Sequence, residues 1–363
     1  MTTAHINAIG TAVPPHDVHK TFQVAALGFI EDGKTRALFE RMSARSGIEN
    51  RYSFIETLVR DDGEVTDRQG FYRPGDYPTT AERMARYEEW APRLALDAVN
   101  ALDADIAGQG ITHVIVASCT GFVAPGLDQI LIRETGISGS AERTMVGFMG
   151  CYAAVNALRL AHHTVRSEPE ARVLVVNVEL CSLHLQRTSN VQALLAMLLF
   201  GDGATAALVT AETEGIALDD FRAATIPGSD DLITWRVGDQ GFVMHLDGRV
   251  PGHIAHALEI ERARNDDGGI LRGLSPADYD LWAVHAGGRT ILDAVERGLE
   301  LPENALTPSR EILRRCGNMS SATLMFVLAS MLASRRDGAD GGKGIGMAFG
   351  PGLAAETFRF RLL

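Results

Sequence analysis

Residues 147–180, GFMGCYAAVNALRLAHHTVRSEPEARVLVVNVEL, place one cysteine, Cys151, between a glycine-bounded turn and an apolar pattern at helical spacing, then end on a β-rich apolar run. A helix N-terminus carries about half a positive charge in unpaired N–H groups, which biases a cysteine there towards the nucleophilic thiolate. Cysteine is also a small, commonly buried apolar residue, so this stretch alone leaves both readings open. The run from 171 has counterparts in THVIVAS from 112, ATAALVT from 204, LWAVHAGG from 281 and GIGMAFG from 344. Continuous runs of this kind suit strands buried on both faces. Helical patterns lie between them at 92–105, after Cys151, at 289–301 and at 320–336. Strands alternating with helices predict an α/β fold.

The chain of 363 residues is long enough for two ordinary domains or one large duplicated one. Its formal net charge of −12 disfavours non-specific nucleic-acid binding, which depends on Lys and Arg neutralising phosphates. The opening MTTAHINAIGTAVPP has no basic segment leading into an apolar one, and no uninterrupted apolar span of membrane length follows. A cytoplasmic protein without a membrane span is expected. The four cysteines, 119, 151, 181 and 316, form no CxxC pair or zinc spacing, so reduced thiols and no metal are expected. A local basic patch, RMSARSGIENRY with Arg41, Arg45 and Arg51, could serve an anionic ligand or simply be a solvated face.

The charged stretch 55–90 reads as an irregular surface excursion, and a break near 212–222 separates two βα-rich halves, 1–215 and 216–363. Three features carry chemistry. Cys151 opens its helix; His285 closes an apolar strand before two glycines; Asn318, in CGNMSSA, precedes an apolar helix that Ser320 or Ser321 could cap. A Cys/His/Asn set suits acyl transfer at a thioester, because the thiolate attacks while imidazole and amide N–H groups stabilise an oxyanion.

With their flanks, GFMGCYAA, LLFGDGATAALV, VHAGG, GNMSSATLMFVL and MAFGPGLAAET, these residues stand in an order and spacing that resembles type III polyketide synthases, the chalcone and stilbene synthase superfamily. The likeness runs from about residue 5 to the C-terminus. It implies a thiolase-like fold of two pseudo-duplicated βαβ halves, layered α-β-α-β-α, in a homodimer. It implies that Cys151 carries the acyl chain, that His285 and Asn318 promote malonyl-CoA decarboxylation, and that Phe200 guards the entry from the CoA tunnel. CoA thioesters, acyl-CoA and malonyl-CoA, are then the substrates, and no cofactor is required. Arg41 and Arg45 match two of three cationic contacts to CoA phosphates; the third position holds Leu38, for which nearby Arg36 could substitute.

Further departures fall where plant members shape the cavity: Cys119 at a Thr position, Met244 at a Phe position, and Ala124 where a Met reaches into the partner subunit. Together with VNVELCSLHLQ (176–186) they resemble the bacterial branch that makes alkylresorcinols and alkylpyrones from fatty acyl-CoA. The alternatives are a small-phenol synthase using malonyl-CoA alone, a single-condensation β-ketoacyl-acyl carrier protein synthase, and a thiolase-fold acyl-CoA binder without activity. The AGG after His285, where initiating β-ketoacyl synthases usually carry QAN, favours the polyketide synthases over the second.

Overall fold

A computed structural model describes residues 2–60, 64–73, 75–102 and 105–363. In chain order, β1 (Ala4–Ala12) and β2 (His16–Asp17) precede α1 (His19–Gly28) and α2 (Gly33–Ala44). The short strands β3 (Tyr52–Ser53), β4 (Thr57–Val59) and β5 (Val65–Asp67) lead to α3 (Thr80–Asn100). Then come β6 (His113–Ser118), α4 (Leu127–Thr135), β7 (Glu142–Gly147), α5 (Ala153–Ser167), β8 (Val173–Leu180), α6 (Val191–Leu199) and β9 (Asp202–Thr210). After them follow β10 (Ile216–Thr225), β11 (Ile233–Gly238), β12 (Gly241–Leu246), α7 (Val250–Arg262), β13 (Leu281–Val284) and α8 (Arg289–Leu299). The last elements are α9 (Thr307–Cys316), α10 (Ala322–Arg336), β14 (Gly342–Gly350) and β15 (Ala354–Leu362).

Among the described residues, nine strands form one mixed sheet in the order β13-β14-β15-β10-β1-β9-β8-β6-β7. Its pairings repeat. β1 runs antiparallel to β9, β9 antiparallel to β8, and β8 parallel to β6; β10, β15, β14 and β13 pair with the same sequence of directions. The two sets join where β1 runs antiparallel to β10. The duplication therefore lives in topology, although the sequence shows no obvious self-similarity.

The continuous apolar strand runs are explained by layers on both sides. In β8, Val173 and Val175 face one core while Leu174 and Val176 face another, as the two-residue period of a strand requires. The first core holds α5 and α10, through Leu158, Val165, Leu324 and Leu328. The second packs α3, through Trp90, Leu94 and Ala98, on the outer face of β6 and β8. On the other side α7 and α8 cover β13 and β14 through Ile254, Leu258, Leu292 and Val295. The result is the expected α-β-α-β-α order. Among the described residues no helix is long and apolar enough to cross a membrane.

Two expectations change. The excursion 55–90 contains the β4–β5 hairpin and the start of α3, so the helix expected over 92–105 runs from 80 to 100, and residues 103 and 104 lie outside the described residues. The start is set by a capping box: the Glu82 N–H donates to Thr79 Oγ1 at 3.3 Å, and the Thr79 N–H donates to the Glu82 carboxylate at 2.7 Å. Pro92 sits inside this helix, where burial of Trp90, Ala91 and Leu94 on one face outweighs the lost backbone bond. The second change concerns β10 and β15, which lack a long apolar run. Their outward pairs Asp220–Arg359 and Asp219–Arg361 interrupt the apolar pattern yet tie the strands together.

Candidate active site

The fold brings the three expected chemical residues to one place. His285 directly follows β13, and Cys119 follows β6, so both stand at carboxyl ends of parallel strands, where open α/β sheets form crevices. Cys151 lies in a short 3-10 turn, Gly150–Tyr152, between β7 and α5. Gly150 has φ 74°, and a Cβ there would come within 2.4 Å of the Pro351 ring, so glycine is what lets the GFMGC turn pack against the FGPGL turn. Asn318 sits between α9 and α10, hydrogen-bonded through its backbone to Leu199 (2.8 Å) and Gly201 (2.9 Å) on either side of Phe200.

One cavity of about 1200 Å³ opens on Cys151, His285, Asn318, Phe200, Cys119 and Met244. Arg45 also lines it. Arg41 is exposed on α2 and Ala124 is exposed in the loop after β6; neither lines this cavity. Arg36 is not available to replace a cation at Leu38, because its guanidinium donates to the carbonyls of Leu27 (2.6 Å) and Ile30 (3.3 Å), capping the end of α1.

The Asn318 amide is oriented by its surroundings. Its Oδ1 accepts from the Ser320 N–H at 2.8 Å, and Nδ2 donates to the Gly287 carbonyl at 3.2 Å. An amide nitrogen carries two hydrogens, so one N–H remains for the cavity. His285 is fully buried, and neither ring nitrogen has a protein partner. A buried polar group without a partner is costly, which fits a ring positioned to bond something in the cavity.

Burial opposes the bias towards thiolate that a helix end gives. Burial pushes the Cys151 thiol up to about 12, against lowering bonds from the Ser320 and Asn318 side chains and its own backbone N–H. Burial likewise pushes His285 down to about 3. Each group alone is neutral at pH 7, because desolvation disfavours an isolated charge more than the helix end favours it.

Glu179 is a functional neighbour that sequence reasoning missed, although a single carboxylate inside the run VLVVNVEL is a visible signal. It accepts from the Cys119 N–H at 3.1 Å, from Thr120 Oγ1 at 2.9 Å, from the Cys119 thiol at 3.3 Å, and from the Ser321 hydroxyl. The hydroxyl of Ser320 bonds Cys119 Sγ at 3.1 Å. Neither serine caps α10; both hydroxyls are spent on the thiol and carboxylate cluster instead. Burial and the adjacent carboxylate push the Cys119 thiol well above its usual range. Trp235, also unforeseen, donates its indole N–H to the Cys119 carbonyl at 2.8 Å and lines the same cavity.

The comparisons with known proteins follow this geometry. Residues 1–213 match the N-terminal domain of chalcone and stilbene synthases, and residues 219–363 match the C-terminal domain. The alpha-pyrone synthesis polyketide synthase-like Pks18 of Mycobacterium tuberculosis is 30% identical over 100% of this chain and 92% of its own length. The 1,3,6,8-tetrahydroxynaphthalene synthase of Streptomyces peucetius is 31% identical over 98% of this chain and 91% of its own. The crystal structure of PKS-I from the brown alga Ectocarpus siliculosus superposes with a TM-score of 0.86 at 27% identity, covering 100% of this chain and 99% of that one. A thiolase-like fold with a buried thiol, imidazole and carboxamide on one cavity defines a class of acyl-transferring condensing enzymes. The chain belongs to the chalcone and stilbene synthase family, and it is a type III polyketide synthase, an acyltransferase that performs Claisen condensation with malonyl-CoA.

Proposed function

We propose that Cys151 holds a medium- or long-chain acyl starter delivered from acyl-CoA, and that repeated decarboxylative condensation with malonyl-CoA extends it to an alkylpyrone or alkylresorcinol. The observation that carries this reading is the opening of thiol, imidazole and carboxamide on one cavity of about 1200 Å³. Loading begins when His285 takes the Cys151 proton; the thiolate attacks the starter thioester carbonyl, and CoA leaves as its thiol with a proton returned from His285. In extension the bond between the malonyl carboxylate and its α-carbon breaks. CO2 departs, and the electron pair is held on the thioester oxygen as an enolate facing the His285 and Asn318 N–H groups. The enolate carbon attacks the Cys151 thioester, and the thiolate leaves. Asn318 supplies a donor without charge, whereas a carboxylate in its place would repel the enolate.

The starter preference rests on the apolar wall that α1, α6 and β12 contribute to the cavity: Phe22, Ala25, Phe29, Leu195, Ala196 and Met244. Each methylene buried there contributes about 0.8 kcal/mol, so kcat/KM rises by roughly tenfold or more per two carbons until the wall is covered. The check is kcat/KM across a series of acyl-CoA starters with product mass spectrometry. A flat dependence, or efficient turnover of malonyl-CoA alone, favours the small-phenol reading instead.

The same reading includes a homodimer. β7 is an edge strand of the sheet, and Phe122 (57% exposed), Met145 (45%), Phe148 (38%) and Met149 (37%) cluster beside it. An unpaired edge beside exposed large apolar side chains suits a second copy of the same surface across a two-fold axis. Ala124 belongs to this loop, which accords with a position facing a partner rather than its own cavity. Light scattering is expected to give a dimer for the wild type and a monomer for Met145→Asp/Phe148→Asp; a monomeric wild type, or a double variant that stays dimeric, removes this interface.

A further inference from the structure

We infer that Arg51 is a positioning residue for decarboxylation: its side chain holds the backbone at the end of α6, and through that segment it fixes the Asn318 carboxamide against the cavity. The inference rests on the reading that Asn318 serves decarboxylation. The sequence left Arg51 in a basic patch open to an anionic ligand or to solvent, and the structure turns it inward. The residue is 3% exposed, and its guanidinium is spent on the protein's own backbone.

Nη1 donates to the carbonyls of Met197 (3.0 Å) and Phe200 (2.5 Å), in the last turn of α6 and just after it. The final carbonyls of a helix have no partner within it, so a cation there satisfies two of them and suits the negative end of the dipole. Nε donates to His19 Nδ1 at 3.0 Å, and the guanidinium lies 4.8 Å from the centre of the Phe22 ring. The main chain is held too: the Arg51 N–H donates to Asp17 at 3.1 Å, and its carbonyl accepts from the Val18 N–H at 2.8 Å. Arg51 is therefore a strut anchored on β2 and α1 at one end and on α6 at the other.

The segment that Arg51 holds is the one that holds Asn318. The Asn318 N–H donates to the Leu199 carbonyl at 2.8 Å, and the Asn318 carbonyl accepts from the Gly201 N–H at 2.9 Å, so Asn318 is paired with a three-residue stretch whose middle carbonyl accepts from Arg51. The arginine stem packs on both partners of this pairing. A Cβ on Gly317, the residue before Asn318, would come within 2.8 Å of Arg51 Cγ, and one on Gly201 within 3.3 Å of Arg51 Cβ. Gly317 has φ 67° and ψ −158°, a conformation that glycine alone adopts readily. The bonds to Ser320 and Gly287 orient the carboxamide, but the place of its backbone depends on this pairing, and a donor misplaced by about 1 Å can cost about 10²-fold in rate. Cys151 and His285 stand on other segments, the turn before α5 and the end of β13, so loading does not depend on the strut.

The test compares CO2 release from malonyl-CoA with acyl loading of Cys151, read by intact-protein mass spectrometry, in the wild type, Arg51→Met, Arg51→Lys, Asn318→Ala and the double variant Arg51→Met/Asn318→Ala. Arg51→Met keeps the stem and removes the donors; it is expected to slow decarboxylation about 10- to 100-fold while loading stays within about twofold of the wild type. Arg51→Lys retains a charged donor and is expected to lose less, about three- to tenfold, again in decarboxylation alone, and it carries the comparison where the methionine variant does not fold. In the Asn318→Ala background Arg51→Met is expected to cost nothing further, because a residue that acts through Asn318 has nothing left to position. Additive losses in the double variant, loading that falls in step with decarboxylation, or decarboxylation unchanged in Arg51→Met would each overturn the inference while leaving the role of Asn318 in place. Asn318→Ala that releases CO2 at the wild-type rate would refute the reading of Asn318 itself, and the inference with it.

Discussion

Replacing Cys151 with alanine is expected to abolish acyl-enzyme formation and to lower condensation by on the order of 10⁴-fold or more, the scale of losing a covalent nucleophile. Cys119 lies in the same cavity and is also a thiol, so the assignment needs a physical reason. Cys119 stands 3.3 Å from both oxygens of the Glu179 carboxylate, which opposes a second negative charge there. Cys151 feels the same carboxylate and shares the Ser320 hydroxyl, but the Asn318 side chain and its own backbone N–H also favour its thiolate, and no carboxylate accepts from its thiol. Intact-protein mass spectrometry with a slow acyl-CoA should therefore show one adduct that vanishes in Cys151→Ala. An adduct that persists in the variant and maps to Cys119 would reverse the assignment.

The second large effect separates His285 from Asn318. His285→Ala is expected to block both loading and decarboxylation, because the imidazole accepts the thiol proton and also faces the enolate. Asn318→Ala should leave loading largely intact and slow decarboxylation by about 10²- to 10³-fold, the usual cost of one oxyanion donor. The pH dependence of Cys151 alkylation gives an independent readout. With His285 present the thiolate forms as half of an ion pair, so alkylation is level across neutral pH. In His285→Ala the buried thiol must ionise alone, and its reactivity rises about tenfold per pH unit towards its own value of about 12. Identical profiles in the two proteins, or a loading defect in Asn318→Ala as severe as in His285→Ala, would refute this division of labour.

Much of the site was legible because its parts are local. A glycine-bounded cysteine before a helix, a histidine at a strand end and an asparagine before an apolar helix each have a readable neighbourhood, and their order along the chain carried the family resemblance. Glu179, Ser320 and Ser321 were not assigned their roles, because those depend on side chains 59 to 201 residues apart meeting around one thiol. The state of Cys151 stayed open in the sequence for a related reason. A helix dipole can be inferred from sequence, but the desolvation that opposes it depends on what the fold stacks above the turn.

The apolar runs by themselves determined an α/β protein with strands buried on both faces, since an alternating side-chain direction with no polar face admits no other placement. The residue types at 151, 285 and 318, with their ordered flanking motifs, pointed to acyl chemistry at a thioester through the family resemblance. Only the tertiary structure decided that two halves without visible self-similarity repeat the same strand pairings, because pairing direction is a property of backbone contacts rather than of local composition. It alone placed Arg45 on the cavity and removed Arg36, Arg41 and Ala124 from it. The reason is the same in each case: the charge and dryness of a cavity are sums over residues distant in sequence, and no local pattern contains that sum.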